Sequence, residues 1–278
     1  MRHVQVRGDG RLFGPDIDFG HAPLFSGTGI PISRYDWRAV KRHRIVAGLV
    51  VMAAVILLMT HTAPAPGLFD ALAGSRAIWH MPRTDPPTIY LTYDDGPNAV
   101  TTADLLDVLA REHVRATFFL IDRQITDRTA PLVARMFADG HAVALHSDTR
   151  SDLVMSPSGF ARKLTSNADR IERMTGHRPI RAFRPHAGWR SVTMYAGLKQ
   201  IDYRLIGWGW MRWDWNWYRQ RTADATVARI ISRAGPGDIV VMHDGNAYNP
   251  GEDQRHTVDA TARLIPLLRA RGFVFGTF

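Results

Sequence analysis

Two adjacent carboxylates, Asp94-Asp95, close a β-branched and aromatic run, Thr88-Ile89-Tyr90-Leu91-Thr92-Tyr93, and are followed at once by Gly96-Pro97. Carboxylates side by side at the end of a buried strand are costly unless a cation, a set of hydrogen bonds or a shared proton offsets them. Four more strand-like segments end on groups of related chemistry: His146-Ser147-Asp148, Arg184-Pro185-His186, Trp213-Asp214-Trp215 and His243-Asp244. Carboxylate, imidazole and guanidinium are the groups that move protons, hold cations and orient one another. Cysteine is absent, which excludes disulfides, thiolate metal ligands and a cysteine nucleophile.

The elements that must position these groups alternate along the chain. Strand-like runs occupy 88–93, 116–121, 141–147, 181–184, 203–208, 238–242 and 273–278. Helix-like runs fill the gaps at 101–112, 131–139, 158–175, 192–201, 223–234 and 257–271. Strands alternating with helices imply an α/β fold with a parallel sheet and crossovers. About seven strands in residues 88–278 suit a distorted (β/α) barrel lacking one unit better than a complete eightfold barrel. In such sheets chemistry collects at the C-terminal strand ends, where the five motifs lie.

The N-terminal third is of another kind. Residues 1–44 carry eight Lys/Arg against four Asp, a large share of the formal net charge of +9, and read as a loosely ordered basic arm. Arg38, Lys41, Arg42, His43 and Arg44 run directly into an uncharged apolar stretch. The expectation is a single transmembrane signal anchor at 45–60, the arm in the cytoplasm and the remainder outside it, periplasmic or extracellular. Cleavage after a shorter leader is the alternative, although Pro66 behind Ala63-Pro64-Ala65 obstructs it. Residues 61–87 are rich in Pro and Ala and read as a linker. Despite the positive charge, no basic motif interleaved with aromatics points to nucleic acid.

The ordered motifs TYDDGP, GHAVALHS, FRPHAG, WDW and VVMHDG resemble those of the polysaccharide deacetylases of carbohydrate esterase family four, the NodB-homology class. The resemblance covers residues 88–278. It implies hydrolysis of N-acetyl groups on a GlcNAc-type polysaccharide or oligosaccharide with the help of a divalent metal, zinc being the expected ion. It implies Asp94 as general base, Asp95 and His146 as metal ligands, and Arg184 as the partner of the base. Asp214 is then the carboxylate that tunes the acid His243, and the backbone amide of Ala187 helps to hold the oxyanion. The residue chemistry agrees: an imidazole near a carboxylate has its pKa raised and can serve as an acid. An arginine locked by Pro185 is suited to orient a carboxylate.

One departure stands out. The family's second metal histidine falls four residues after the first, and Arg150 occupies that position. A guanidinium does not deprotonate in proteins and cannot ligate a cation. His141 points to the other strand face. Asp148 or Asp152 could take the third position, giving an oxygen-richer site; otherwise the site is metal-poor, with Arg150 supplying positive charge. A catalytically silent glycan-binding relative is therefore the rival expectation, and an unrelated metal-dependent amidase a third. Trp213 and Trp215, with Trp189, are candidate platforms for sugar rings, since an indole offers an apolar face and a polar N–H.

Overall fold

The computed structural model describes residues 37–61, 70, 77–209, 214 and 221–278. By contact the chain divides into two units, Met1–Leu49 and Val50–Phe278. Helix α1 spans Trp37–His61. It corrects the expected transmembrane anchor, because no described helix is long and apolar enough to cross a membrane. The basic cluster is inside the helix, in its first two turns, so the uncharged part is confined to 45–59. At 1.5 Å per residue that part covers about 22 Å, short of the ~30 Å of a bilayer's hydrocarbon.

All seven expected strands form: β1 (Thr88–Gly96), β2 (Thr117–Ile121), β3 (Ala142–His146), β4 (Ala182–Arg184), β5 (Arg204–Leu205), β6 (Ile239–His243) and β7 (Val274–Phe275). Between them lie α2 (Thr102–Arg111), α3 (Ala130–Ala138), α4 (Pro157–Thr175), α5 (Val192–Gln200), α6 (Ala223–Ile231) and α7 (Arg255–Ala270). Helix boundaries follow local chemistry. Ser156 caps α4 by accepting from the Gly159 amide, Pro157 opens its first turn, and Gly176 ends it at φ 75°.

The sheet order is β5-β4-β3-β2-β1-β6, with β7 beside the start of β1, and every pairing is parallel. Past β5 the chain bonds across to β6, Gly209 N–H to the Ile239 carbonyl and Asp214 N–H to the Val241 carbonyl, each at 3.1 Å. This parallel α/β fold is consistent with a barrel. The stretch 77–87, expected to end a linker, is hydrogen-bonded to the sheet region. Ile78 bridges Ile206, and the Met81 amide donates to Gly237. Asp70 accepts from Arg190, Tyr195 and Trp79.

Strand alternation divides the core in two. Ile89, Leu91, Tyr93, Phe118, Leu120, Val143, Leu145, Phe183, Val240 and Met242 face the helices. Tyr90, Phe119, Ala144, Ala182, Ile206, Trp208, Ile239 and Val241 face one another inside, with Phe278 stacked on Tyr90 at 5.7 Å. Two residues beyond Thr92, Ala144, Ala182 and Val241 along the same inner faces come Asp94, His146, Arg184 and His243. Period-two geometry thus brings four of the candidate residues to one end of one interior.

Candidate active site

Arg184 is fully buried and organises this end. Its Nη1 donates to Asp94 Oδ1 at 2.6 Å and to Thr92 Oγ1 at 2.7 Å. Its Nε and Nη2 donate to the carbonyls of Ile206 and Gly207, and the guanidinium lies 3.8 Å over the Phe119 ring. A rigid planar fork with that many fixed partners has one orientation, and so does the carboxylate it grips. Asp94 Oδ2 is left facing His146 Nε2 at 4.0 Å.

Beside it, β6 carries His243, the register partner of Asp94. Its Nδ1 is 2.6 Å from Asp214 Oδ1, and its backbone amide donates to Asp214 Oδ2 at 2.7 Å. Burial works against a charge on His243, but the Asp214 charge and hydrogen bond outweigh it and raise the pKa to about 9. Burial likewise opposes charge on Asp214, while His243 holds its carboxyl below the ordinary range. Two glycines let the loops behind these residues touch. A Cβ on Gly245 would lie 2.0 Å from the Asp95 carbonyl, and one on Gly96 would lie 2.5 Å from the Asp244 carboxylate. Burial pushes Asp244 up to about 7, and Thr102 donates to it.

His146 Nδ1 donates to the Arg184 carbonyl at 2.8 Å, which fixes the tautomer and leaves Nε2 toward the site. Nε2 is 3.2 Å from Asp95 Oδ1, a buried oxygen with no well-aligned hydrogen bond. In a neutral imidazole this places two acceptors face to face, an arrangement that needs a proton or a cation between them. Without a metal the proton is favoured. Burial opposes it, yet Asp94 and Asp95 raise the His146 pKa, and His146 in turn helps bring Asp95 down to about 2 against the cost of its burial. Asp95 sits at φ 66°, a left-handed turn that aims consecutive carboxylates to different sides.

Among the described residues the group able to hold a metal ion is Asp95, His146 and His186, whose ligand atoms all lie within 4.8 Å of one another. The donor set and the frustrated Asp95–His146 pair fit a divalent cation. His186 was not expected in this place; it stands first in a short turn, His186–Gly188, after β4. Burial lowers its pKa, and the nearby His146 charge adds to the effect. The two oxygen ligands expected from sequence are engaged elsewhere. Asp152 is 2.7 Å from Lys163 Nζ, and Asp148 pairs with Arg123 at 2.9 Å and Lys163 at 3.6 Å. Arg150 is exposed, its guanidinium 5.9 Å from the Trp189 ring centroid. Ala187 adopts φ 51°, ψ 22°. Trp189 is half-buried beside the site, whereas Trp213 and Trp215 lie outside the described residues.

A family profile described as Polysaccharide deacetylase matches residues 82–206. A chitooligosaccharide deacetylase of Sinorhizobium fredii is 36% identical over 204 residues, spanning 69% of this chain and 90% of that protein. A peptidoglycan-N-acetylglucosamine deacetylase of Bacillus cereus is 29% identical over 201 residues, 72% of this chain and 89% of the other. Among solved structures, a family 4 acetyl xylan esterase from Clostridium thermocellum, in complex with a cobalt ion, aligns with a TM-score of 0.59 at 30% identity, covering 68% of this chain and 87% of that one.

Proposed function

The chain belongs to the polysaccharide deacetylase family, and on that footing we propose that it removes N-acetyl groups from a GlcNAc-type glycan, with Asp94 as base and His243 as acid. It is a hydrolase of the class that acts on carbon–nitrogen bonds other than peptide bonds. The observation that carries the assignment of roles is the register of Asp94 with His243 on neighbouring strands, each gripped at 2.6 Å by its own partner, Arg184 and Asp214. A base and an acid whose environments differ this much are suited to opposite ends of one proton path.

Water attacks the acetyl carbonyl carbon, and Asp94 Oδ2, the oxygen not held by Arg184, takes its proton. When the C–N bond breaks, the imidazolium of His243 gives a proton to the departing nitrogen, and acetate and a free amine result. The Ala187 amide supports the negative oxygen of the tetrahedral stage, a contribution worth roughly 10²–10³ in rate for a well-placed donor. A divalent cation, zinc being the expected one, held by Asp95 and His146 with His186 in reach, would supply Lewis acidity at the carbonyl and at the water. Trp189 offers a flat apolar wall for the sugar ring.

The relatives act on chito-oligosaccharides and on peptidoglycan, and the N-acetylated aminosugar common to both is the proposed substrate unit. An extracytoplasmic location belongs to this proposal where the glycan is that of the envelope. Acetate release from N-acetylated chito-oligosaccharides and from peptidoglycan tests it. The wild-type chain releases acetate from at least one, and Asp94→Asn, with an unchanged circular dichroism spectrum, releases none above background. Equal rates in both proteins would refute the role of Asp94.

A further inference from the structure

We propose that the third metal ligand of this chain is His186, on the loop after β4, in place of residue 150 on the loop after β3, and that Tyr248 is its positioning residue. The proposal rests on the metal-assisted reading above and concerns how this particular chain completes the site.

Three observations converge on it. His186 closes a triangle with Asp95 and His146 in which every ligand atom is within 4.8 Å of the others. Its ring centroid is 6.3 Å from that of His146. The loop that carries it turns sharply, with Ala187 and Gly188 both left-handed at φ 51° and 75°. Second, the alternatives from sequence are not members of that group. Arg150 cannot ligate and lies against Trp189. Asp152 is held by Lys163, and Asp148 is held by Arg123 and Lys163.

Third, a metal-binding histidine needs a partner on its other ring nitrogen to fix the ring's orientation. His146 has the Arg184 carbonyl in that role. His186 has the Tyr248 hydroxyl, 3.1 Å from Nε2, which leaves Nδ1 as the donor the proposal assigns to the ion, and the Tyr248 ring stands edge-on to it at 5.7 Å and 90°. Tyr248 is 76% exposed, and His186 is the hydrogen-bond partner of its hydroxyl. The proposed ligand and its support are therefore both loop residues, His186 after β4 and Tyr248 after β6.

Cobalt(II) titration of the full chain, stripped of metal by a chelator, tests this by calorimetry and by the visible absorption of the bound ion. The wild type binds one cobalt per chain. His186→Ala weakens binding by roughly 100-fold or more, beyond the 10–100-fold typical of losing an outer partner, and changes the absorption. Tyr248→Phe weakens it by about 10-fold, within that outer-partner range, and leaves the absorption per bound ion unchanged. Arg150→Ala binds no more weakly than wild type, and Arg150→His placed on the His186→Ala background restores affinity. Binding by His186→Ala as tight as wild type, while Asp95→Ala loses it, would overturn the His186 assignment and leave the metal reading standing. A wild-type chain that takes up no cobalt would overturn both. Circular dichroism of each variant keeps misfolding out of the comparison.

Discussion

The two halves of the site are built differently. On one side, Asp94 and His243 lie within β1 and β6, face each other in register, and are each clamped by a residue from another part of the barrel. On the other side only His146 is in register with its neighbouring strands. The remaining positions are Asp95, at the bulge that ends β1, and two loop residues, one of them exposed Arg150 and the other His186. Strand positions are constrained twice, by pairing and by the inward or outward face, so exchanging one displaces its neighbours. A loop position is constrained only by where its donor atom ends up. In the acid–base half the residues of the resembled pattern are all present, whereas in the cation half Arg150 stands at one ligand position and His186 is the proposed donor.

The largest effect that would sharpen this contrast is on the base. Asp94→Asn keeps the shape and loses the basicity, and kcat falls by about 10⁴, the upper end for general acid–base catalysis. Steady-state acetate release measures it; a loss below 10-fold would remove the distinction between the halves. Next is the clamp. Arg184→Met leaves the Asp94 carboxylate buried without its partner and lowers unfolding free energy by about 3–5 kcal/mol in urea titration. The equivalent change in the loop half, Arg150→Ala at an exposed site, moves stability by less than about 0.5 kcal/mol.

A smaller effect concerns the acid. His243→Ala lowers kcat by roughly 10²–10³. Because His243 keeps its proton up to about pH 9, wild-type kcat holds toward base and falls above that point. In Asp214→Asn the falling limb moves down toward the ordinary histidine value near about 6.5. The sign for stability is the same. A folded-state pKa above the unfolded one stabilises fully below about pH 6.5, and that gain is lost as pH rises through about 9. A limb that stays put in Asp214→Asn would show that another group donates the proton. Smallest of all, Ser156→Ala removes the cap of α4 and costs about 1 kcal/mol with no change in kcat, which calibrates what a purely structural loss looks like in this barrel.

The strand-borne groups were legible in the sequence because two rules suffice for them. An apolar run shows where a strand ends, and in parallel α/β sheets chemistry collects at the C-terminal strand ends, where Asp94, His146, Arg184 and His243 lie. Period two within one strand sends His141 to the other face, where its Nδ1 accepts from the Ala116 amide and its ring meets Phe118. His186 was missed because loop geometry has no period. Asp148 and Asp152 were attractive only while the reach of Lys163 from α4 was invisible. The expected anchor fails on length: with Arg38 to Arg44 inside α1, too little apolar helix remains to cross a membrane.

The hydrogen bonds of Arg184 join residue 184 to positions 90 and 92 residues earlier in the chain and 22 and 23 residues later. Contacts between such distant positions form late, because the intervening loops must close before anything rewards them. A partly folded chain can therefore hold most of its helices while its base still has no fixed direction. Recovery of catalysis after denaturation should lag the recovery of helical signal. Activity thus becomes a clock for the last step in assembling the sheet around Arg184, which bulk measures of secondary structure cannot time.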